Sequence, residues 1–233
     1  MRRHPRRGEA AGQVTKAAPA GPSAAGAAFG RRLGAVLMRG LWRPRVLGAE
    51  RVPAGGPVIL AGNHAHNVDG PMLIGTAPRP VHFLVKKEAF TGPLGPFLRG
   101  IGQVRVDRSR PDRDAVAGAL AVLARGGVLG IFPEGTRGDG DFASLRAGLA
   151  YFAVRSGAPI VPVAVLGSAV PRGGRVRALP PPRTRIDVVY GEPFLAGDGT
   201  GRRTRGALDE ATSRIQKRLS AHLADARRLT GRP

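Results

Sequence analysis

The chain reads as an α/β fold in layers, and three observations carry that reading. Short apolar runs alternate with helix-periodic segments from about residue 46 to 195. Gly and Pro, 35 and 21 of the 233 residues, punctuate the alternation with turns. Apolar residues make up 42%, enough for a real core, and the length suits one domain or at most two small ones.

The elements follow in order. Residues 1–28 are a low-complexity Ala/Gly/Pro tail with Arg clusters, whose composition predicts disorder. The pairs Arg2–Arg3 and Arg6–Arg7 resemble an export signal, but no apolar h-region follows them. Residues 29–45 read as a basic amphipathic helix. At 100° per residue Phe29, Leu33, Val36, Leu37 and Leu41 share one face, and Arg31, Arg32 and Arg39 the other. Such a helix suits either a membrane surface or ordinary packing against its own domain. Residues 46–200 form the main domain. Strands are expected at Val58–Leu60, Val81–Val85, Ile101–Val106, Val128–Phe132, Ile160–Leu166 and Arg185–Tyr190. Helices are expected from Pro71, over Asp114–Arg125 (closed by Gly126 and Gly127) and over Leu145–Ser156. Residues 201–233 carry a last helix, packed on the domain, with Leu208, Ala211, Ile215, Leu219 and Leu223 on one side. No run is long and apolar enough for a conventional membrane span.

Charge and cysteine content narrow the chemistry. The formal net charge is +21, spread as +4 over residues 1–28, +11 over 29–200 and +6 over 201–233. A surplus distributed in this way points to an anionic partner and weakens the reading of a nucleic-acid-binding arm. All but four of the 37 basic residues are Arg, a bias that GC-rich coding also produces. With no cysteine, disulfides, thiolate metal sites and a Cys nucleophile are excluded.

Candidate chemistry clusters at strand exits, where α/β folds place their sites. The segment Asn63-His64-Ala65-His66-Asn67-Val68-Asp69 follows the first strand. A neutral imidazole can take a hydroxyl proton when a carboxylate holds its other nitrogen. His64 and Asp69, five apart, can meet only if a turn leads into the helix; otherwise Asp69 serves as a cap. H-x-H-x-x-D also resembles metallo-hydrolase sites, but no further ligands stand at strand exits, so no metal is expected. Phe132-Pro133-Glu134-Gly135-Thr136-Arg137-Gly138 leaves another strand, with glycines that permit close approach and an arginine fork for phosphate. Arg108 ends a third strand, and Lys86-Lys87-Glu88 ends a fourth.

In order, NHAHNVD (63–69), GQVRVDR (102–108), FPEGTRG (132–138) and IVPVAV (160–165) resemble the four-block pattern of the glycerophospholipid acyltransferases. The best-known members of that family are 1-acylglycerol-3-phosphate acyltransferases. The resemblance covers about residues 46–195 and extends to Leu145-Arg146-Ala147-Gly148. It implies a layered acyltransferase fold with a central mixed sheet flanked by helices. It implies that His64 is the general base and Asp69 its partner. It places Arg137, with Glu134, Gly135 and Thr136, at the acceptor phosphate, helped by Arg108 and by Lys86 or Lys87. Asn63 and His66 are auxiliary, and His66 stands where relatives commonly have Ser. The implied reaction moves an acyl group from acyl-CoA or acyl carrier protein to 1-acylglycerol 3-phosphate, giving phosphatidic acid, with no bound cofactor. Another lysolipid or polar-lipid acceptor is the alternative within the family. A non-enzymatic basic membrane- or nucleic-acid-binding module is the alternative outside it. The expected partners are a lysophospholipid and an anionic membrane surface, without nucleic acid, at the cytoplasmic face of the cell membrane. Arg31, Arg32, Arg39 and the loop arginines from Arg172 to Arg185 suit that surface.

Overall fold

The computed structural model describes residues 21–135, 140–169, 171–172, 175–176, 179–197 and 204–232. The chain opens with helix α1 (Ala24–Leu41), followed by strands β1 (Arg43–Leu47) and β2 (Val58–Gly62) and helix α2 (Asp69–Thr76). Next come β3 (Val81–Lys86), α3 (Leu94–Gly100), β4 (Val104–Val106), α4 (Arg113–Ala124), β5 (Val128–Ile131), α5 (Gly148–Ser156) and β6 (Ile160–Leu166). A short hairpin of β7 (Pro171–Arg172) and β8 (Arg175–Val176), then β9 (Arg185–Tyr190) and α6 (Arg205–Thr230), complete the described elements. Seven strands form one mixed sheet in the order β1-β9-β6-β2-β5-β3-β4. Strands β6, β2, β5, β3 and β4 run parallel, and within this sheet the β6–β9 strand pairing is antiparallel.

Alternation along the strands builds two cores. Ile59, Ala61, Leu129, Ile131, Ile160 and Ala164 face α4, α5 and α6. Val58, Leu60, Val128, Val161, Val163 and Val165 face α1 and α2. Strands buried on both faces read as continuous apolar runs, which is why β2, β5 and β6 are visible in the sequence.

Several boundaries differ from the sequence reading. Helix α1 begins at Ala24, capped by the Ser23 hydroxyl, so residues 24–28 are helical and not part of a disordered tail. Low complexity conceals this, because alanine is the strongest helix former. Residues 43–45, read as the end of the amphipathic helix, are extended and pair with β9. Pro44 cannot lie in a helix interior, and an edge strand tolerates it. The domain therefore begins at Arg43. The run from Ile101 to Val106 is strand only from Val104, because α3 continues to Gly100 and Gly102 turns the chain at φ 72°. Helix α3 is hidden in the sequence because Pro96 and two glycines outweigh its leucines and Arg99 in helical propensity. Helix α5 starts at Gly148 instead of Leu145.

Candidate active site

Parallel strands put their C-terminal ends on one edge of the sheet, and the loops after β2, β3, β4 and β5 meet there. Central β2 delivers Asn63 and His64 between β5 and β6. The Asn63 amide accepts the Val165 N–H (2.7 Å) and donates to the Val165 carbonyl (3.1 Å). It thus extends the β2–β6 ladder one residue beyond the strand and fixes where His64 begins. The chain then turns into α2. Asp69 Oδ2 lies 3.3 Å from His64 Nδ1 and accepts the His66 N–H at 2.6 Å. Asp69 Oδ1 accepts the Ser168 hydroxyl at 2.6 Å, and the carboxylate is fully buried. An acceptor-only carboxylate against Nδ1 selects the Nδ1–H tautomer and leaves Nε2 to take a proton.

The imidazole is also held through its face. It stacks on Phe132 (centroids 4.2 Å, 16°), which stacks on Phe83 (5.2 Å, 17°). Phe83 lies so close across β5 that any side chain at Gly130 would overlap its ring. The His66 ring is buried, and its Nδ1 accepts the Val68 N–H at 3.3 Å. It shapes the turn that brings Asp69 to His64, a role a Ser hydroxyl also performs.

The remaining sequence-derived residues separate. Lys86 lines a cavity of about 670 Å³ together with His64 and Arg108. Lys87 is held by Asp107 at 2.8 Å. Arg108 donates to the Gly135 carbonyl. Gly135 is at φ 74°, a left-handed conformation that favours glycine. Burial pushes the Glu134 carboxyl up to about 7; the Phe142 and His64 main-chain N–H groups oppose this, and the Asp141 and Asp69 charges add to it. Its Oε1 is buried without a hydrogen-bond partner among the described residues. Glu134 therefore ties this loop to the His64 and Phe142 main chain. Thr136 and Arg137 lie outside the described residues. No group of three or more His, Asp or Glu side chains forms a metal-ligand set among the described residues.

The cavity is mainly apolar. Leu33, Leu37 and Met38 of α1, Ile74 of α2, and Leu94, Phe97 and Leu98 of α3 are among the residues of its wall. Two contributors escape sequence reading. Ser168 sits 99 residues from the carboxylate it touches, marked only by its place after a strand. Arg146 lies across Gly135, so that a side chain there would overlap its guanidinium arm; its signal was the Leu145–Gly148 segment.

A family model described as acyltransferase matches residues 43–166, more than half the chain. The chain belongs to the acyltransferase family. This acyltransferase is 29% identical over 177 residues to a 1-acyl-sn-glycerol-3-phosphate acyltransferase of Bacillus subtilis, covering 75% of this chain and 85% of that protein. It is 33% identical over 148 residues to one from Limnanthes alba, covering 61% of this chain and 52% of that protein. Among solved structures it is similar to the 1-acyl-sn-glycerophosphate (LPA) acyltransferase PlsC from Thermotoga maritima. There the TM-score is 0.61 at 25% identity, with 86% of this chain and 78% of that chain covered. The enzyme is thus an acyltransferase of layered α/β fold, and the non-enzymatic basic module is set aside.

Proposed function

We propose that this acyltransferase moves a fatty acyl group from acyl-CoA or acyl carrier protein to the free hydroxyl of 1-acylglycerol 3-phosphate, giving phosphatidic acid. The observation that carries the reading is the His64–Asp69 pair at the end of an apolar cavity whose rim holds Arg108 and Lys86. The named activity of the Bacillus subtilis, Limnanthes alba and Thermotoga maritima proteins supports it. His64 Nε2 takes the acceptor hydroxyl proton as the oxygen attacks the thioester carbonyl carbon. The C–O bond forms, the C–S bond breaks, and the imidazolium returns the proton to the leaving thiolate. Asp69 stabilises the imidazolium without itself being protonated. No covalent acyl-enzyme is required, and no bound cofactor takes part. The cavity volume falls within the range of ligand pockets, and its apolar wall suits an acyl chain.

The reaction belongs at a lipid surface. Phe29, Val36, Leu37 and Leu41 of α1 and Leu94 and Phe97 of α3 are exposed beside the exposed Arg32 and Arg39. Apolar anchors flanked by arginines fit an anionic monolayer at the cytoplasmic face. Among the described residues no helix is long and apolar enough to cross a membrane.

His64→Ala tests the chemistry. Its turnover of 1-acylglycerol 3-phosphate with an acyl thioester should fall by roughly 10²–10⁴-fold or more while circular dichroism stays that of wild type. A variant retaining near-normal turnover would remove His64 as the base.

A further inference from the structure

We propose that Arg146 is a specificity-determining residue that grips the acceptor's phosphate together with Arg108; this rests on the phosphorylated acceptor of the preceding section. Two independent features bring the guanidiniums together. Arg108, at the exit of β4, donates to the Gly135 carbonyl. Arg146, just before α5, gives its main-chain N–H to the Pro133 carbonyl at 2.9 Å and lays its side chain across the bare face of Gly135. The two thus converge on a single loop residue, and Glu134 just before it accepts the His64 main-chain N–H. Gly135 is required there for space as well as for conformation, because any Cβ would displace the Arg146 arm.

The Glu88 carboxylate acts on Arg108 through its charge but forms no ion pair with it. Asp187 serves Arg45, Arg185 and Arg232, and Glu192 serves Arg51. Neither Arg108 nor Arg146 makes an ion pair with a described carboxylate. Glu134, the acid adjacent in sequence to Gly135, has its charged form disfavoured by burial. Arg108 meanwhile has its charged form disfavoured by burial and by the Arg146 charge, which together outweigh the opposing Glu88 carboxylate. Two like charges held together destabilise the empty site, and an anion between them reverses the sign. Guanidinium forks match phosphate oxygens bidentately, so a phosphomonoester gains more than a neutral headgroup. Arg108 lines the cavity that holds His64. A phosphate gripped there keeps the glycerol backbone beside the base.

Calorimetric binding of 1-acylglycerol 3-phosphate to the full chain, without donor, tests this separately from turnover. Arg146→Gln should weaken binding roughly 10- to 100-fold, the range for a lost hydrogen bond to a charged group. Arg146→Lys, which keeps the charge but not the fork, should fall between the two. In steady-state assays the acceptor KM should rise with kcat and the donor KM little changed. Equal binding by wild type and Arg146→Gln would overturn the assignment. A raised donor KM with unchanged acceptor binding would also overturn it, by moving the anion to the thioester substrate. Wild type that binds the phosphorylated lysolipid without acylating it would instead remove the proposed reaction and leave the Arg146 comparison intact.

Discussion

The His64 imidazole is held from two directions that different parts of the chain supply. Asp69 fixes its edge and Phe132 its face, while Ser168 and the His66 main chain hold Asp69. A network in which each polar partner is satisfied keeps the imidazole in one orientation. Glu134 is the exception, a carboxyl whose Oε1 is buried without a described partner. Burial raises its folded value from the ordinary 4.5 to about 7. Between those values the folded state holds a proton that the unfolded chain has lost, so this group lowers stability as pH rises through that window. Glu134→Gln removes the effect. Its melting temperature relative to wild type should climb from about pH 5 to about pH 8 and then level off. A pH-independent difference between the two would contradict the raised value.

At the level of elements, α1 shows most clearly where reading a helix by its large apolar residues misleads. The periodicity marks Phe29, Leu33, Val36, Leu37 and Leu41 as the face to be buried. The helix instead packs on the domain through Gly26, Gly30 and Gly34, with Ala27 and Met38 buried. Gly26 meets the Gly100 carbonyl, Gly30 meets Ile101, and Gly34 meets Gly75 of α2. Of the large residues, Leu33 and Leu37 line the cavity, while Val36 is 71% and Phe29 59% exposed. The helix thus packs on its own domain through its small residues and leaves Phe29 and Val36 outward. The close crossing makes a prediction with a decisive sign. In a helix interior Gly→Ala ordinarily stabilises by about 0.5–1 kcal/mol. At Gly75, however, a Cβ would stand 2.5 Å from the Gly34 carbonyl carbon. Gly75→Ala should therefore destabilise by about 1–3 kcal/mol in denaturant titration, as overpacking does. Stabilisation would mean that α1 does not dock there.

For the whole molecule the +21 charge divides into structural and outward-facing parts. Asp187, fully buried on β9, binds Arg45 at 2.6 Å, Arg232 at 3.1 Å and Arg185 at 3.3 Å. It thereby ties β1 to the end of the last helix. Arg185, read in the sequence as a lipid-facing loop arginine, belongs to this cluster because Asp187 offers a desolvated partner that no surface site matches. Arg172 cannot be assigned in this way, since its side chain lies outside the described residues. Arg32 and Arg39 remain exposed beside the apolar residues of α1. Sedimentation with anionic phospholipid vesicles should show binding that falls as salt rises. Arg32→Gln and Arg39→Gln should each weaken it by about 1 kcal/mol, or about fivefold. Equal binding to uncharged vesicles would remove the electrostatic part.

The strand-exit motifs, the order of the parallel strands' apolar runs, the acyltransferase family and the pairing of His64 with Asp69 were all legible along the chain. Each is written in local spacing or in residues a few positions apart. Ser168 on Asp69, Asn63 on Val165, Phe83 behind Phe132 and Arg146 over Gly135 were not legible. Neither was the placement of Lys86 in the cavity wall, nor which face of α1 is buried. These depend on which strand lies beside which and on how closely two backbones approach. A glycine reveals such an approach only when its neighbour is known. Local sequence pattern thus specified the family and most of the elements, whereas long-range packing selected the partners that hold the His64 imidazole, because contacts between residues distant in sequence leave no periodicity to read.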